Sequence, residues 1–319
     1  MINPIGFVFP GQGSQSVGML SDIAKAFSEV EESFQEASAV LGYDVWKLVR
    51  LGPTEELDKT VRTQPALLAA SYAIWQIIQS RKNLPVTLLA GHSLGEYTAL
   101  VCAKVISFAD AIRLVAARGE YMQEAMPIGE GGLAAIIGLE DNDVKAICDK
   151  ALEPGEVLSP ANYNSPGQVV IAGHIKAVER ALILAKEQGA RMVKLLPVSV
   201  SSHCVLMKPA ADKLASLLAV MPMQRPMIPI IGNADVAIYE TAAEIREGLI
   251  KQLYSPVRWV ETIRLFSNLG IKHIVECGPG KVLSSLNKRI LSEIQLTSTT
   301  DAASLHSLLN THFETQKAS

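Results

Sequence analysis

The chain has 319 residues, a formal net charge of −3, 49% apolar residues and 19% charged ones. That composition argues against a disordered chain and against a protein whose main partner is nucleic acid, whose footprint is normally basic. Four cysteines, Cys102, Cys148, Cys204 and Cys277, form neither a C-x-x-C pair nor a dense framework, so free thiols in a reducing compartment are expected.

The N-terminal run lacks a basic flank, so "IGFVF" (5–9) is expected to be a first buried strand rather than part of a signal peptide. Residues 21–41 and 63–81 have helical spacing, the second with Pro65 near its first turn. "VTLLA" (86–90) predicts a second strand, Gly91 to Gly95 a turn, and 96–105 and 108–126 two helices. The texture then changes. Residues 133–139, 141–151, 157–163, 168–173, 175–189 and 191–199 predict strand, helix, strand, strand, helix, strand, the ferredoxin-like order. Beyond it come helix 205–219, strand 227–233, helices 241–253 and 256–269, strand 271–277 and helix 281–290, then a polar C-terminal helix and a frayed tail.

Strands separated by helices predict a mostly parallel sheet. The expected fold class is therefore α/β: a large domain (1–128 and 203–310) interrupted by a small ferredoxin-like unit (129–202), with 311–319 as the tail. Gly129 to Gly132 and Ser199 to Ser202 are the expected crossings. No apolar run approaches the ~20 charge-free residues of a membrane helix, so no membrane partner and a cytoplasmic location are expected.

The chemistry begins at "LLAGHSLGEYTAL" (88–100). Gly91-His92-Ser93-Leu94-Gly95 is the Gly-x-Ser-x-Gly pattern that presents a nucleophilic serine between a strand and a helix. Backbone N–H groups at the helix start would stabilise developing negative charge. A weak nucleophile needs a base. Of His92, His174, His203, His273, His306 and His312, His203 stands where the small unit returns to the large one and could face a site on the other lobe. A structural role remains open for it as well. "PGQGSQS" has neither a complete dinucleotide fingerprint nor a Walker lysine, so a backbone-amide loop or a plain turn is expected. Arg118 is either a solvated helical arginine or, if buried, a fork for a carboxylate.

Taken together, "FVFPGQGSQ" (7–15), "GHSLGEY" (91–97), "NSPGQVVIAG" (164–173) and "ECGPGKVL" (276–283) resemble the malonyl-CoA:acyl carrier protein transacylases of bacterial type II fatty acid synthesis, relatives of polyketide synthase acyltransferase domains. The resemblance covers almost the whole chain. It implies an α/β-hydrolase-like large domain with a nucleophile elbow. It implies that Ser93 carries the acyl group, that His203 moves the proton, and that the backbone carbonyl of Gln252 orients His203. It also implies oxyanion donors at the amides of Gln12 and Leu94, a malonyl carboxylate partner in Arg118, and a cleft-lining Asn162. The implied substrates are malonyl-CoA and holo-acyl carrier protein, with no cofactor, no metal and a monomeric enzyme. Lys281, Lys288 and Arg289 are candidate contacts for an acidic carrier. A carboxylesterase or thioesterase with the same serine–histidine pair is the rival, and would need an acidic partner for the histidine, with Glu120, Asp141 and Asp143 lying between Ser93 and His203. A non-catalytic docking module and a polyketide-pathway acyltransferase are two further rivals.

Overall fold

The computed structural model describes residues 4–127, 129–197 and 200–311. Strand β1 (Ile5–Phe9) lies inside a six-stranded sheet ordered β10-β9-β1-β2-β7-β8. The others are β2 (Val86–Gly91), β7 (Ile230–Ile231), β8 (Ile238–Tyr239), β9 (His273–Glu276) and β10 (Gln295–Ser298). Every pairing is parallel except β7 with β8. β1 shows why its sequence is continuously apolar. Ile5, Phe7 and Phe9 enter one core while Val8 enters the core on the opposite face, the pattern of a strand covered on both sides.

The first core is closed by α1 (Glu29–Leu41), α2 (Val45–Leu51), α3 (Thr54–Leu57), α4 (Thr60–Arg81), α5 (Leu94–Cys102) and α6 (Phe108–Glu124). α9 (Lys208–Val220), α10 (Ala242–Tyr254) and α13 (Ala302–Asn310) complete it. α11 (Trp259–Asn268) and α12 (Val282–Ile290) cover the other face, with Trp259, Ile263, Phe266 and Leu286 against Val8, Leu88 and Ile231.

The second sheet is built from β3 (Gly131–Ile137), β4 (Leu158–Ser165), β5 (Gln168–His174) and β6 (Met192–Leu195), ordered β4-β5-β3-β6 and antiparallel throughout. With α7 (Asp141–Ala151) and α8 (Ile175–Glu187) packed on one face, this is the expected ferredoxin-like arrangement. Its other face turns Leu133, Ala161, Val170 and Ala172 toward Cys204 of the large sheet's lobe. Position 128, residues 198 and 199 at the end of the expected strand 191–199, and 312–319 of the expected tail, with His312, fall outside the described residues.

Several expected elements differ. The helix over 21–41 divides into a 3-10 turn at Ile23–Lys25 and α1, whose first turn gathers Glu29, Glu31 and Glu32 where the helix dipole favours acids. α4 starts three residues early, so Pro65 lies inside it rather than in its first turn. Strand 227–233 shrinks to Ile230–Ile231, because Pro226 and Pro229 cannot donate to a ladder. Helix 256–269 begins only at Trp259, because Val257 is held in a strand-like bridge to β4 through Ala161 and Tyr163. α2, α3, β8 and β10 were not anticipated.

Gly6 on β1 has no room for a side chain: a Cβ there would sit 2.3 Å from the Phe266 ring. Gly6→Ala is expected to lower unfolding free energy by about 1–3 kcal/mol through overpacking. Guanidinium denaturation checks this, and an unchanged midpoint would contradict the packing described.

Candidate active site

β2 turns into α5 through Ser93, which caps the helix at φ 52° and ψ −106°. This backbone is strained for a non-glycine residue, and the flanking glycines make room for it. A Cβ on Gly91 would lie 1.8 Å from the Gly95 carbonyl carbon, and one on Gly95 would lie 2.0 Å from the Phe9 oxygen. The strained peptide is gripped on both sides. The Ser93 N–H donates to Asn233 Oδ1 at 2.7 Å, and Gln252 Nε2 donates to the Ser93 carbonyl at 2.9 Å. Asn233 Nδ2 also donates to the Gly91 carbonyl at 2.6 Å.

His203 meets the serine: Nε2 lies 2.8 Å from Ser93 Oγ. Nδ1 lies 2.8 Å from the backbone oxygen of Gln252. A carbonyl can only accept, so Nδ1 carries the proton and Nε2 offers its lone pair to the serine hydroxyl. Burial, then the nearby Arg118 charge, push the His203 pKa down to about 3. The imidazole is therefore neutral and ready to act as a base at ordinary pH. Its Nδ1 partner is a peptide carbonyl and not a carboxylate. Of the three acids considered for an esterase triad, Glu120 and Asp143 are exposed and Asp141 lies at the start of α7 in the small unit.

Arg118, on α6, is 1% exposed. Nη1 donates to Gln64 Oε1 at 2.8 Å, and Nη2 to Gln252 Oε1 at 3.0 Å and to Ser93 Oγ at 3.2 Å. Its Nε has no partner among the described residues. All these acceptors are neutral, so a buried guanidinium faces the nucleophile without a carboxylate in contact. Such a charge is costly to leave unpaired and suits an incoming anion.

These groups open into a cavity of ≈170 Å³ between the two sheets. Ser93, His203, Arg118 and Gln64 line one side, Leu133, Val170 and Leu196 the other. At ~30 Å³ per water-sized group it holds roughly half a dozen such groups, which suits a short acyl group. Gln12, Leu94 and Asn162 line it as well. Among the described residues, the backbone N–H groups of Gln12 and Leu94 have no protein acceptor. Asn162, on β4, is buried and bridges to Val257.

The remaining histidines are elsewhere engaged. His92 turns away from the nucleophile, with Nε2 at 2.8 Å from Asn164 Oδ1 and its ring against Trp259. His174 accepts from the Val157 N–H, His273 lies in β9 beside Thr297, and His306 packs on Phe27. Lys281, Lys288 and Arg289 are exposed at and along α12.

Asn233, Glu96, Gln64 and Asn164 were not singled out from the sequence. Glu96 had a signal, since it is the one charged residue in the otherwise apolar α5, where a charge is expected to be buried. Asn233 had none, because its partners lie about 140 residues away in the chain.

A hydroxyl on a strained elbow, whose histidine leans on a peptide carbonyl, defines a serine–histidine acyl-transfer enzyme on an α/β-hydrolase-like frame. Residues 6–307 match the acyl transferase domain family. A protein of Salmonella typhimurium called malonyl CoA-acyl carrier protein transacylase is 54% identical over 303 residues, 95% of this chain and 98% of that one. A crystal structure of an acyl carrier protein S-malonyltransferase from Vibrio cholerae superposes with a TM-score of 0.92 at 54% identity, covering 95% of this chain and 99% of that one. A type II PKS acyl-carrier protein in complex with its malonyl-transacylase gives 0.94 at 52% identity, over 96% and 99%. The chain belongs to the malonyl CoA-acyl carrier protein transacylases.

The His203 environment fixes a pH signature. Between about pH 6.5, the ordinary histidine value, and about 3, the unfolded chain binds a proton that the folded one does not. His203 therefore withdraws stability as pH falls through that window, while Ser93 keeps its base. Modification of Ser93 by phenylmethylsulfonyl fluoride should show no acid limb near pH 6.5 while the protein stays folded. A limb at that value would contradict a buried neutral His203.

Proposed function

We propose that this enzyme transfers the malonyl group of malonyl-CoA to the pantetheine thiol of acyl carrier protein, by way of a malonyl ester on Ser93, and so supplies fatty acid elongation. The observation that carries this reading is Arg118: a buried cation within 3.2 Å of the nucleophile, with no carboxylate of its own.

Ser93 Oγ attacks the thioester carbonyl as His203 Nε2 takes its proton. The tetrahedral oxyanion points at the amides of Gln12 and Leu94, each worth about 2.7–4 kcal/mol of barrier by analogy with other oxyanion donors. The carbon–sulfur bond breaks, and the proton on His203 passes to the leaving CoA thiolate. The carrier's pantetheine thiol then enters, gives its proton to His203 and attacks the ester. Collapse returns the proton to Ser93 Oγ and releases malonyl-carrier. The order is ping-pong, and no step calls for a cofactor. A monomeric enzyme is part of this proposal.

Arg118 pairs with the free malonyl carboxylate through its planar fork, leaving the thioester carbonyl over Ser93. An acetyl group would leave the guanidinium desolvated and unpaired. Asn162 lines the acyl pocket, and exposed Lys281, Lys288 and Arg289 are the proposed contacts for the acidic carrier. Among the described residues no helix is long and apolar enough to cross a membrane. A hydrolase reading is less well supported, because His203 lacks the acidic partner that such triads use.

Arg118→Ala is expected to lower kcat/KM for malonyl-CoA about 10²–10³-fold, as for loss of one partner of a buried ion pair. Acetyl-CoA should lose far less, so the malonyl-to-acetyl ratio collapses. A purified variant that kept the ratio would remove Arg118 from this role.

A further inference from the structure

Beneath the elbow lies a carboxylate that the transfer scheme does not use. Glu96 is fully buried in the first turn of α5, three residues after Ser93. Its Oε2 accepts from Gln252 Nε2 at 2.8 Å and from the Asn233 backbone N–H at 3.1 Å. Those are the two residues that grip Ser93, Gln252 at its carbonyl and Asn233 at its N–H. The other carboxylate oxygen, Oε1, has no partner among the described residues.

The same Gln252 carboxamide spans two opposite charges. Its nitrogen faces Glu96 and its oxygen accepts from Arg118 Nη2. This fixes which way the amide points and sets the Glu96 carboxyl and the Arg118 guanidinium at opposite ends of one neutral group, without direct contact.

We infer that Glu96 is a positioning residue with a second role: one carboxylate oxygen holds the Gln252 side chain and the Asn233 backbone, the two residues that grip the Ser93 peptide groups, and its charge opposes Arg118, so the pocket's preference for an anionic acyl group depends on whether Glu96 is ionised. This rests on the reading of Arg118 as the carboxylate's partner. Charge in a buried site is felt strongly. When Glu96 is ionised it partly cancels Arg118, and malonyl binding weakens. When it is protonated, Arg118 is uncompensated and malonyl binding strengthens. By linkage, malonyl binding favours the protonated form by the same factor.

The titratable groups facing Glu96 are Arg118 on α6, Asp235 after β7, Tyr97 on its own helix and Tyr239 on β8. Burial is the largest influence and pushes its pKa up to about 7, against the hydrogen bonds from Gln252 and Asn233. Asp235 adds to the rise, and Arg118 opposes it. The change of charge therefore falls in an accessible range.

The test is the acylation half-reaction, followed in single turnover with malonyl-CoA and with acetyl-CoA from about pH 6 to about pH 8.5, a span that brackets this ionisation. Both esters carry the same CoA, so its own ionisations cancel in their ratio. For the wild type, half-saturating malonyl-CoA should rise about fivefold or more across the range relative to acetyl-CoA. Glu96→Gln keeps an oxygen for the two donors but carries no charge, and should make the ratio flat. Glu96→Ala should make the ratio flat and also slow acylation by both esters about 10–100-fold, with Glu96→Gln faster than Glu96→Ala.

A wild-type ratio that favours malonyl yet shows no step would overturn the inference, as would a step that survives in Glu96→Gln. Equal slowing in Glu96→Gln and Glu96→Ala would overturn the positioning role. If Glu96→Ala does not fold, the wild-type and Glu96→Gln profiles still decide the charge role. A wild type with no malonyl preference at all would instead bring down the Arg118 reading, and this inference with it.

Discussion

The end of helix α10 organises this site. Gln252 lies in its last turn, where backbone carbonyls have no further helical N–H to meet. That leaves the Gln252 carbonyl to accept from His203 Nδ1 and fix its tautomer. The negative end of the helix dipole would also favour the imidazolium that the proposed transfer forms at each step. The side chain of the same residue reaches Arg118, Glu96 and the Ser93 carbonyl. One residue thus replaces the acidic member of a triad with a peptide dipole. It also keeps Ser93, His203 and Arg118, the proposed nucleophile, base and anion partner, in mutual register.

This arrangement explains how an elbow shared with hydrolases serves a transferase. The strained serine and its glycines supply a nucleophile and say nothing of the acceptor. What distinguishes the site is its cavity, set between two lobes and lined by a guanidinium with only neutral hydrogen-bond partners. In the proposed mechanism an anionic acyl group would satisfy that charge and be held in place as the thioester breaks. Water gains nothing from Arg118.

Much of this was legible in the chain. The Gly-x-Ser-x-Gly spacing is a statement about backbone clearance, and the clearances at Gly91 and Gly95 agree. The strand–helix order indicated a mostly parallel sheet and the inserted antiparallel one, without the outer strands β8 and β10. The burial of Arg118 could have been read from its helix: Ala111, Leu114, Val115 and Met122 form an apolar stripe with Arg118 inside it. Short elements were lost where tertiary pairing overrides propensity. Val257 is held extended by β4, and two prolines trim β7. Asn233 and the Glu96–Gln252 link join segments about 140 and 156 residues apart. No local pattern records such a contact. The role of His203 came from resemblance, since a histidine at a domain return has no signature of its own.

The central claim is that Ser93 holds the malonyl group as an ester whose preferred acceptor is the carrier's thiol. The most direct measurement is to isolate the enzyme after brief exposure to radiolabelled malonyl-CoA and locate the label by peptide mass spectrometry. The labelled enzyme is then divided between buffer and holo-acyl carrier protein. The account predicts label on Ser93, slow loss to free malonate in buffer, and rapid transfer to the carrier. Label on another residue, or release as malonate at the same rate with and without carrier, would contradict it.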